Sequence, residues 1–217
     1  MSNALPTYHQ RVAEEKRALI VSAATTLFLE SGYDRTSLLR ISERAAVSRA
    51  TLFKQFPTKA ALFDAIVAES WAPADDDEPP PAGNLTEGLG TMGRRYAELL
   101  GRPQMTDLFR IVIAELPRFP ELAAAQFAQG KIPYFDSVRN YLLAEHAAGT
   151  AQVQDAELAA TQFLGMISNY LFWPKLLLLD WQVTSARVAQ VVDEAVRTTA
   201  ARYAVASHGK PAAAHRR

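Results

Sequence analysis

Apolar residues recur three and four positions apart along almost the whole chain of 217 residues. The pairs Ala23/Ala24 and Leu27/Phe28 are typical, and this spacing places one face of a helix against a core. No window alternates between apolar and polar residues for long enough to form a strand. Only 10 glycines are present, and hydrophobic residues make up 49% of the chain, which suits packed helices. The sequence therefore predicts an all-α fold.

One segment rich in proline and acidic residues interrupts the helical pattern. It runs from Pro73 to Gly83 and includes four consecutive acids, Asp75 to Glu78. Such a segment neither packs nor continues a helix, so it predicts a linker at 72–84. An N-terminal domain at 11–71 precedes the linker, and a larger helical domain at 85–207 follows it. Residues 208–217 are expected to form a disordered tail.

Capping residues and breakers give approximate helix bounds. In the N-terminal domain, the pattern predicts a helix over 11–31 that Gly32 ends, and a short helix that Thr36 or Ser37 caps. A third helix is predicted from Arg49 to about Gln55 after Ser48, and a fourth from Lys59 to about Trp71. The C-terminal candidates are 85–101, 104–116, 119–129, 132–148, 155–173 and 184–206, with breaks that include Gly130 to Pro133 and Pro174.

Positive charge is concentrated in one part of a chain whose formal net charge is zero. Between Arg35 and Lys59 there are six basic residues and one acid, Glu43, so the local charge is +5. A solvated basic face and a phosphate-binding patch are equally compatible with charge alone. Two short helices joined by a tight turn favour the second interpretation, since a helix-turn-helix places its second helix in the major groove of DNA. Arg49 and Thr51 suit base edges at the start of that helix, whereas Lys54 and Lys59 suit phosphates.

The residues from Leu27 to Leu62 resemble the N-terminal domain of the TetR family of repressors. The positions in register with the family pattern are Phe28, Gly32, Tyr33, Thr36, Ile41, Val47, Ser48, Thr51, Leu52, Phe56, Lys59 and Leu62. Ala46 and Ala50 stand where the family has glycines, and Phe53 stands where it has a tyrosine that contacts phosphate. Tyr33 and Phe56 are expected in the core. The resemblance and the spacing together predict one set of DNA contacts: Thr36, Ser37, Ser48, Arg49, Thr51, Phe53, Lys54 and Lys59.

The C-terminal domain has balanced charge, with 11 basic and 12 acidic residues between Ala82 and Ser207. The TetR resemblance implies a homodimer and a pocket for a small, apolar or aromatic ligand in this region; around 117–122 and 155–165 the chain looks like the AcrR-type branch. Small residues near Gly165 and an apolar stripe through Val192 suit a four-helix dimer interface, although an intrachain core is the alternative. The candidate pocket residues, for each of which ordinary core packing is the better explanation when it is taken singly, are Met92, Tyr96, Phe109, Phe127, Tyr134, Met166, Tyr170 and Trp173.

Other classes of function find little support. The absence of cysteine excludes disulfides and thiolate sites, and the four histidines are too scattered to form a helical metal site. No catalytic or nucleotide-binding fingerprint is present, so we expect neither an enzyme nor a cofactor. No signal peptide or membrane span is expected, and a cytoplasmic location is predicted.

The sequence thus predicts a ligand-responsive repressor that binds a palindromic operator in double-stranded DNA as a dimer. The alternative is a helical small-molecule-binding or scaffold protein that does not bind DNA sequence-specifically.

Overall fold

The computed structural model describes residues 8–72 and 78–205, and these residues fold into helices. The helices, in chain order, are α1 (Tyr8–Ser31), α2 (Leu38–Arg44), α3 (Arg49–Gln55), α4 (Lys59–Trp71), α5 (Leu85–Gly101), α6 (Pro103–Glu115), α7 (Pro120–Ala125), a π-helix (Gln126–Lys131), α8 (Ile132–Ala147), α9 (Ala156–Leu171), α10 (Trp173–Leu177) and α11 (Ser185–Tyr203). Among these residues the sole β-type pairing is an isolated bridge between Ala151 and Ala204. The all-α prediction is confirmed.

The helices form two compact units. Among the described residues, the head unit comprises 8–72, 98–134 and 172–182, and the second unit comprises 78–97, 135–171 and 183–205. The division into a DNA-binding domain at 11–71 and a ligand-binding domain at 85–207 is an assignment of function, which these contact-based units do not test, and it stays a prediction. Residues 73–77 of the predicted linker and the predicted tail at 208–217 lie outside the described residues.

The head unit is built around aromatic rings. Phe28 of α1, Tyr33 of the following loop and Phe63 of α4 are buried, with ring centroids 5.1 to 6.2 Å apart. Phe56 is also buried, so the expectation that Tyr33 and Phe56 belong to the core is confirmed. α1 packs against α2, α4 and α6, and α4 packs against α7 and the π-helix. Gly32 ends α1 with a φ of +82°, a left-handed conformation that glycine adopts without strain.

The predicted break at Gly130 to Pro133 is wrong, because the chain stays helical from Pro120 to Ala147. The π-helix ends at Lys131, two residues before Pro133, whose ring would crowd the carbonyl group four residues earlier in an ordinary α-helical turn. Gly130 is buried under the Trp71 indole, and a Cβ at Gly130 would lie 2.4 Å from Trp71 Nε1. The glycine therefore permits a close helix contact here instead of a break. Pro174, another of the predicted breaks, lies in the first turn of α10, where its missing N–H leaves no helix bond unmade.

In the second unit, α9 packs against α11 through buried apolar faces. Val192 of α11 packs over Gly93 of α5, where an added Cβ would lie 2.9 Å from the valine side chain. Buried Glu145 of α8 accepts hydrogen bonds from the Tyr141 and Thr150 hydroxyls and from the Gly83 N–H at 3.1 Å. Burial opposes the charge of Glu145, but these hydrogen bonds outweigh it and lower the pKa of the carboxyl group. The end of the linker is thereby tied to α8.

Candidate nucleic-acid interface

Two serines cap the short helices of the head unit. The Ser37 hydroxyl accepts a hydrogen bond from the Arg40 N–H at 3.3 Å at the start of α2, and the Ser48 hydroxyl accepts one from the Thr51 N–H at 3.1 Å at the start of α3. The Ser48 and Thr51 hydroxyl oxygens are 2.8 Å apart. Each cap satisfies an N–H that the first helical turn leaves open, so both helices begin where the sequence predicts.

The connection between α2 and α3 is a tight turn centred on Ala46. The Val47 N–H donates to the Ser42 carbonyl oxygen at 3.1 Å, and Ala46 has a φ of +53°. This left-handed conformation is costly for a residue with a Cβ, whereas glycine adopts it without strain. Ala46 therefore keeps the helix-turn-helix geometry with backbone strain.

α3 buries one face and exposes the other. Leu52 is fully buried and Phe56, which follows the helix, is 2% exposed. Arg49, Ala50, Phe53 and Lys54 are exposed, and the Phe53 side chain retains 51% of its accessible area. Neither Arg49 nor Lys54 has a hydrogen bond or ion pair with another described residue. An outward face with two unpaired cations and an aromatic ring is suited to the edge of a nucleic-acid groove.

The remaining cations between residues 35 and 59 are partly engaged within the protein. Arg44 pairs with Glu30 of α1 at 3.4 Å, and the Arg35 guanidinium donates to the Ser31 carbonyl oxygen at 2.9 Å. Arg40 on α2 is exposed and forms no ion pair with the described residues. Arg40 lies in the first turn of α2, whose N-terminus Ser37 caps, and its exposed guanidinium is suited to a phosphate contact.

Thr36 differs from the other predicted contacts because it is only 1% exposed. Its hydroxyl donates to the Gly32 and Leu27 carbonyl oxygens, at 2.8 and 3.2 Å. The single hydroxyl hydrogen is therefore used at the end of α1. Direct contact of Thr36 with DNA, as expected from the sequence, does not agree with this burial.

Lys59, which the sequence predicts to contact a phosphate, instead directs its ammonium group toward the loop that follows α1. Its ammonium donates to the carbonyl oxygens of Tyr33, Asp34 and Thr36, at 2.7, 3.3 and 3.1 Å. These three bonds use the three hydrogens of the group, so no N–H remains for a phosphate. Burial lowers the pKa of Lys59, while nearby Asp34 and Glu115 act in the opposite direction. The structure supports a positioning role for Lys59 in place of a phosphate contact.

Two residues of distant sequence position hold the loop that follows α1. The Asp34 N–H donates to the Glu115 carboxylate at 3.2 Å, and the Arg118 guanidinium pairs with the Asp34 carboxylate at 2.8 Å. From the sequence, Glu115 is a candidate pocket group, surface partner or domain-junction contact, and Arg118 has no predicted role; neither contact with Asp34 is predicted, because a separation of more than 80 residues leaves no local signal.

The eight candidate pocket residues are divided equally between the two units. In the head unit, Phe109 lies 6.4 Å from Trp71 and 4.8 Å from Phe172 between ring centroids. Tyr134 is partly exposed, whereas Phe127 and Trp173 are about half exposed. In the second unit, Met92 and Tyr96 are buried, and Met166 and Tyr170 are partly exposed. Their common role in ligand binding stays a prediction.

Buried polar atoms without a hydrogen-bond partner lie in the head unit, as does the aromatic cluster formed by the rings of Trp71, Phe109 and Phe172. They are Nε1 of Trp71, the hydroxyl oxygen of Thr106 and both amide atoms of Gln126. Thr106 is one helical turn from Phe109 on α6, and Gln126 is one turn from Gly130, which contacts Trp71. Unpaired buried donors and acceptors are costly, so such groups are candidates for binding a polar ligand or water.

Within residues 8–72 and 78–205, no cluster of histidine and acidic side chains is suited to holding a metal ion. In the same residues, no helix is both long and apolar enough to cross a bilayer.

Two family models match the chain. Residues 20–66 match the model for bacterial regulatory proteins of the tetR family, and residues 87–205, more than half of the chain, match the C-terminal domain of AefR-like transcriptional repressors. The protein belongs to the TetR family of transcriptional regulators. The C-terminal match is to the AefR-like group, whereas the sequence motifs had pointed to the AcrR-type branch.

Individual relatives agree with this membership. An uncharacterised helix-turn-helix regulator of Mycobacterium bovis is 30% identical over 103 residues, which cover 48% of this chain and 49% of the relative. The chain thus spans about half the length of the curated relatives it matches. A TetR-family regulator of Mesorhizobium loti has a similar structure, with a TM-score of 0.73, 25% identity and coverage of 89% of this chain and 98% of the other. The flavonoid-responsive regulator FrrA aligns with a TM-score of 0.71, 25% identity and coverage of 89% and 100%.

Proposed function

We propose that this TetR-family member is a ligand-responsive repressor that binds a palindromic operator as a homodimer. The observation that carries the proposal is the outward face of α3, where Arg49 and Lys54 are exposed and unpaired among the described residues while Leu52 fixes the helix to the core. A helix of this kind reads base edges with its N-terminal residues and meets phosphates further along. Arg49 is the base-reading candidate, and Lys54 and Arg40 are the phosphate candidates.

Selection of bound sequences from random duplex DNA tests the proposal. The expected product is an inverted repeat whose half-site centres are about 34–36 Å apart, or a multiple of this, because a two-fold dimer presents two copies of α3. Binding should weaken steeply with salt, since phosphate neutralisation releases counterions. Recovery of no enriched sequence, with the protein folded and dimeric, would favour the alternative of a small-molecule-binding protein without operator recognition.

The dimer interface is proposed on the outward faces of α9 and α11. Their inner faces pack against each other within one chain, but Gly165 and Met166 of α9 and Val191 of α11 are only partly covered. An added Cβ at Gly165 would meet nothing within 4 Å, so this surface is open to a second helix pair. Two helices from each protomer can then form a four-helix interface.

The ligand is proposed to be a small aromatic molecule that carries hydrogen-bonding groups. The rings of Trp71, Phe109 and Phe172 offer an apolar wall, and the unpaired Gln126 amide and Thr106 hydroxyl supply polar contacts within the head unit. The name of the related regulator FrrA refers to flavonoids, which belong to this chemical class. Titration of a flavonoid panel into an operator complex tests this part, with release of the DNA as the expected result. Because regulator and operator must share a compartment, we also propose a cytoplasmic location.

A further inference from the structure

A cavity lies in the head unit between α1, α4 and α6, with a volume of about 340 Å³. This volume is within the range of small-molecule sites, which is about 300–1,000 Å³. The cavity is distinct from the aromatic cluster: Leu108 of α6 lines it, while Phe109, the next residue, is turned about 100° around the helix axis toward the rings of Trp71 and Phe172. The two features therefore use different faces of α6.

The inner wall of the cavity is apolar. Val21 of α1, Ile66 of α4 and Leu108 of α6 line it, and each is at most 3% exposed. A ligand that reaches this wall gains by removing hydrocarbon surface from water. An aliphatic chain is suited to it, since no aromatic ring contributes to the lining.

Three hydroxyl groups in the lining are available only as acceptors. The hydroxyl of Thr25 donates to the Val21 carbonyl oxygen at 2.9 Å, and that of Thr26 donates to the Ser22 carbonyl oxygen at 3.0 Å. In the same way, the Ser70 hydroxyl of α4 donates to the carbonyl oxygen of its own helix at 2.8 Å. A hydroxyl has one hydrogen, so the lone pairs of these oxygens remain for a ligand that donates.

Glu69 of α4 adds a negative charge to the lining. Its carboxylate forms no ion pair with the described residues. Burial raises the pKa of Glu69 and the positive charge of Arg17 lowers it, but the Arg17 guanidinium lies 4.5 Å from the centroid of the Phe56 ring, on which it stacks. A partly dehydrated carboxylate thus lies beside acceptor-only hydroxyls without a direct cationic partner.

We propose that this cavity binds a primary alkylammonium ligand, with the ammonium on Glu69 and the threonine and serine hydroxyls and with the alkyl chain against Val21, Ile66 and Leu108. A primary ammonium has three hydrogens and accepts none, which matches the Glu69 carboxylate and these three hydroxyl oxygens; the Gln104 amide and the Ser22 hydroxyl, which also line the cavity, can accept as well as donate. Hydrogen bonds of an ammonium to a carboxylate are among the stronger ones in proteins. An alcohol of equal chain length keeps the apolar contact but lacks the charge, and a carboxylate reverses it.

Calorimetric titration of the full chain, without DNA, tests the proposal. The probe is hexylammonium chloride, and the comparison compounds are hexan-1-ol, sodium hexanoate and tetramethylammonium chloride. We expect one saturable site for hexylammonium and affinities at least about tenfold weaker for the other three, because each lacks the charge or the chain. Equal affinity for hexan-1-ol, or no saturable binding of hexylammonium in the millimolar range, would overturn the proposal.

Variants locate the site. Glu69→Gln keeps the shape of an exposed side chain and should weaken hexylammonium binding about tenfold or more. Glu14→Gln, an exposed carboxylate on α1 outside the cavity, is the matched control and should leave binding unchanged. Thr25→Val removes one acceptor and should cause a smaller loss, which gives a second variant should Glu69→Gln alter the fold. An equal effect of the Glu69 and Glu14 substitutions would overturn the proposal by revealing nonspecific charge attraction. Since no operator is present, the outcome does not depend on the proposed DNA-binding function.

Discussion

The ammonium of Lys59 lies 4.3 Å from the centroid of the Tyr33 ring and donates a hydrogen bond of 2.7 Å to the carbonyl oxygen of the same tyrosine. Its other bonds, to the carbonyl oxygens of Asp34 and Thr36, tie the start of α4 to the loop between α1 and α2. This loop fixes where Ser37 caps α2. Lys59, at the start of α4, therefore helps to set the position of α2 in the helix-turn-helix through the loop at residues 33–36.

Replacing Lys59 with methionine should destabilise the protein. Methionine keeps much of the aliphatic chain but leaves the partly buried carbonyl oxygens of Asp34 and Thr36 without their donor, while the Tyr33 oxygen keeps only the bond from the Thr36 N–H at 3.2 Å; the loss costs about 1–3 kcal/mol. Urea denaturation measures the loss. Lys54→Met, at an exposed position on α3, is the control and should change stability little. If Lys59→Met kept full stability but lowered the salt dependence of DNA binding by about one ion, Lys59 would be a phosphate contact after all.

The Tyr33 phenol should make stability depend on alkaline pH. Burial, together with the negative charges of Glu121, Asp64 and Glu115, raises the pKa of Tyr33 from 10.0 to about 12. Between these values the unfolded chain releases the proton while the folded protein retains it, so stability falls as pH rises through this window. The lowered pKa of Lys59 acts in the opposite direction below its ordinary value of 10.5.

Tyr33→Phe removes the titrating phenol and isolates its contribution. Across the window, the wild-type protein should lose about 2 kcal/mol more stability than the variant. Chemical denaturation at a series of pH values from about 9 upward measures both proteins. Parallel stability curves for the two would contradict the assigned pKa shift.

Ala46→Gly should stabilise the protein. Ala46 adopts a φ of +53°, which costs about 1–2 kcal/mol for an L-residue with a Cβ and little for glycine. Part of this gain is offset by the greater entropy of glycine in the unfolded chain, so an increase of about 1 kcal/mol is expected. Ala50→Gly, on exposed helix α3, should instead destabilise by up to about 1 kcal/mol. A lower melting temperature for Ala46→Gly would show that the turn is not strained.

The helices of the helix-turn-helix region could be predicted because the residues that begin and end them are local sequence signals. Ser48 and Thr58 cap α3 and α4 at the bounds that the sequence predicted, and each cap acts within three residues of itself. The π-helix before Pro133 was not predictable, since Gly130 marks a contact with Trp71, 59 residues earlier, and its local pattern is that of a breaker. Tertiary packing decides between these interpretations of a glycine.

The roles of individual side chains were less accessible than the helices that carry them. The spacing around Lys59 identifies a cation at the start of α4, but the sequence contains no information on where its ammonium points. The acceptor-only threonines of α1 were also missed, because Thr25 and Thr26 read as ordinary helix positions until their hydroxyls are seen to donate to the backbone. Periodicity predicts the helix face on which a residue lies, whereas the role of its side chain depends on contacts between distant segments.

Arg49→Ala should remove a base preference from the operator. An arginine at the start of a recognition helix reads guanine through two hydrogen bonds, and its loss costs about 1–3 kcal/mol at one position of each half-site. Selection from random duplex DNA compares the variant with wild type. Lys54→Ala is the matched control: it should weaken all sequences alike and keep the preferred bases. An unchanged consensus for Arg49→Ala would exclude this residue from base reading.

Gly165→Arg should separate the protomers without unfolding them. Val192, which the sequence places in the apolar stripe suited to the dimer interface, is 1% exposed and packs over Gly93 in its own chain, so a charge there would disrupt the intrachain core. Gly165 is partly exposed, and a Cβ at this position meets no atom within 4 Å. A bulky cation on this face would meet the partner's equivalent surface and bury charge without a counter-ion, which is strongly unfavourable.

Sedimentation equilibrium and far-UV circular dichroism together decide the outcome for Gly165→Arg. We expect a monomer with retained helicity and greatly weakened binding to an inverted repeat, because one protomer contacts one half-site. Gln152→Arg, an exposed position before α9, introduces the same side chain away from the proposed face and should remain dimeric. A Gly165→Arg protein that is still a dimer with wild-type operator affinity would require the interface to lie on another surface than the outward faces of α9 and α11.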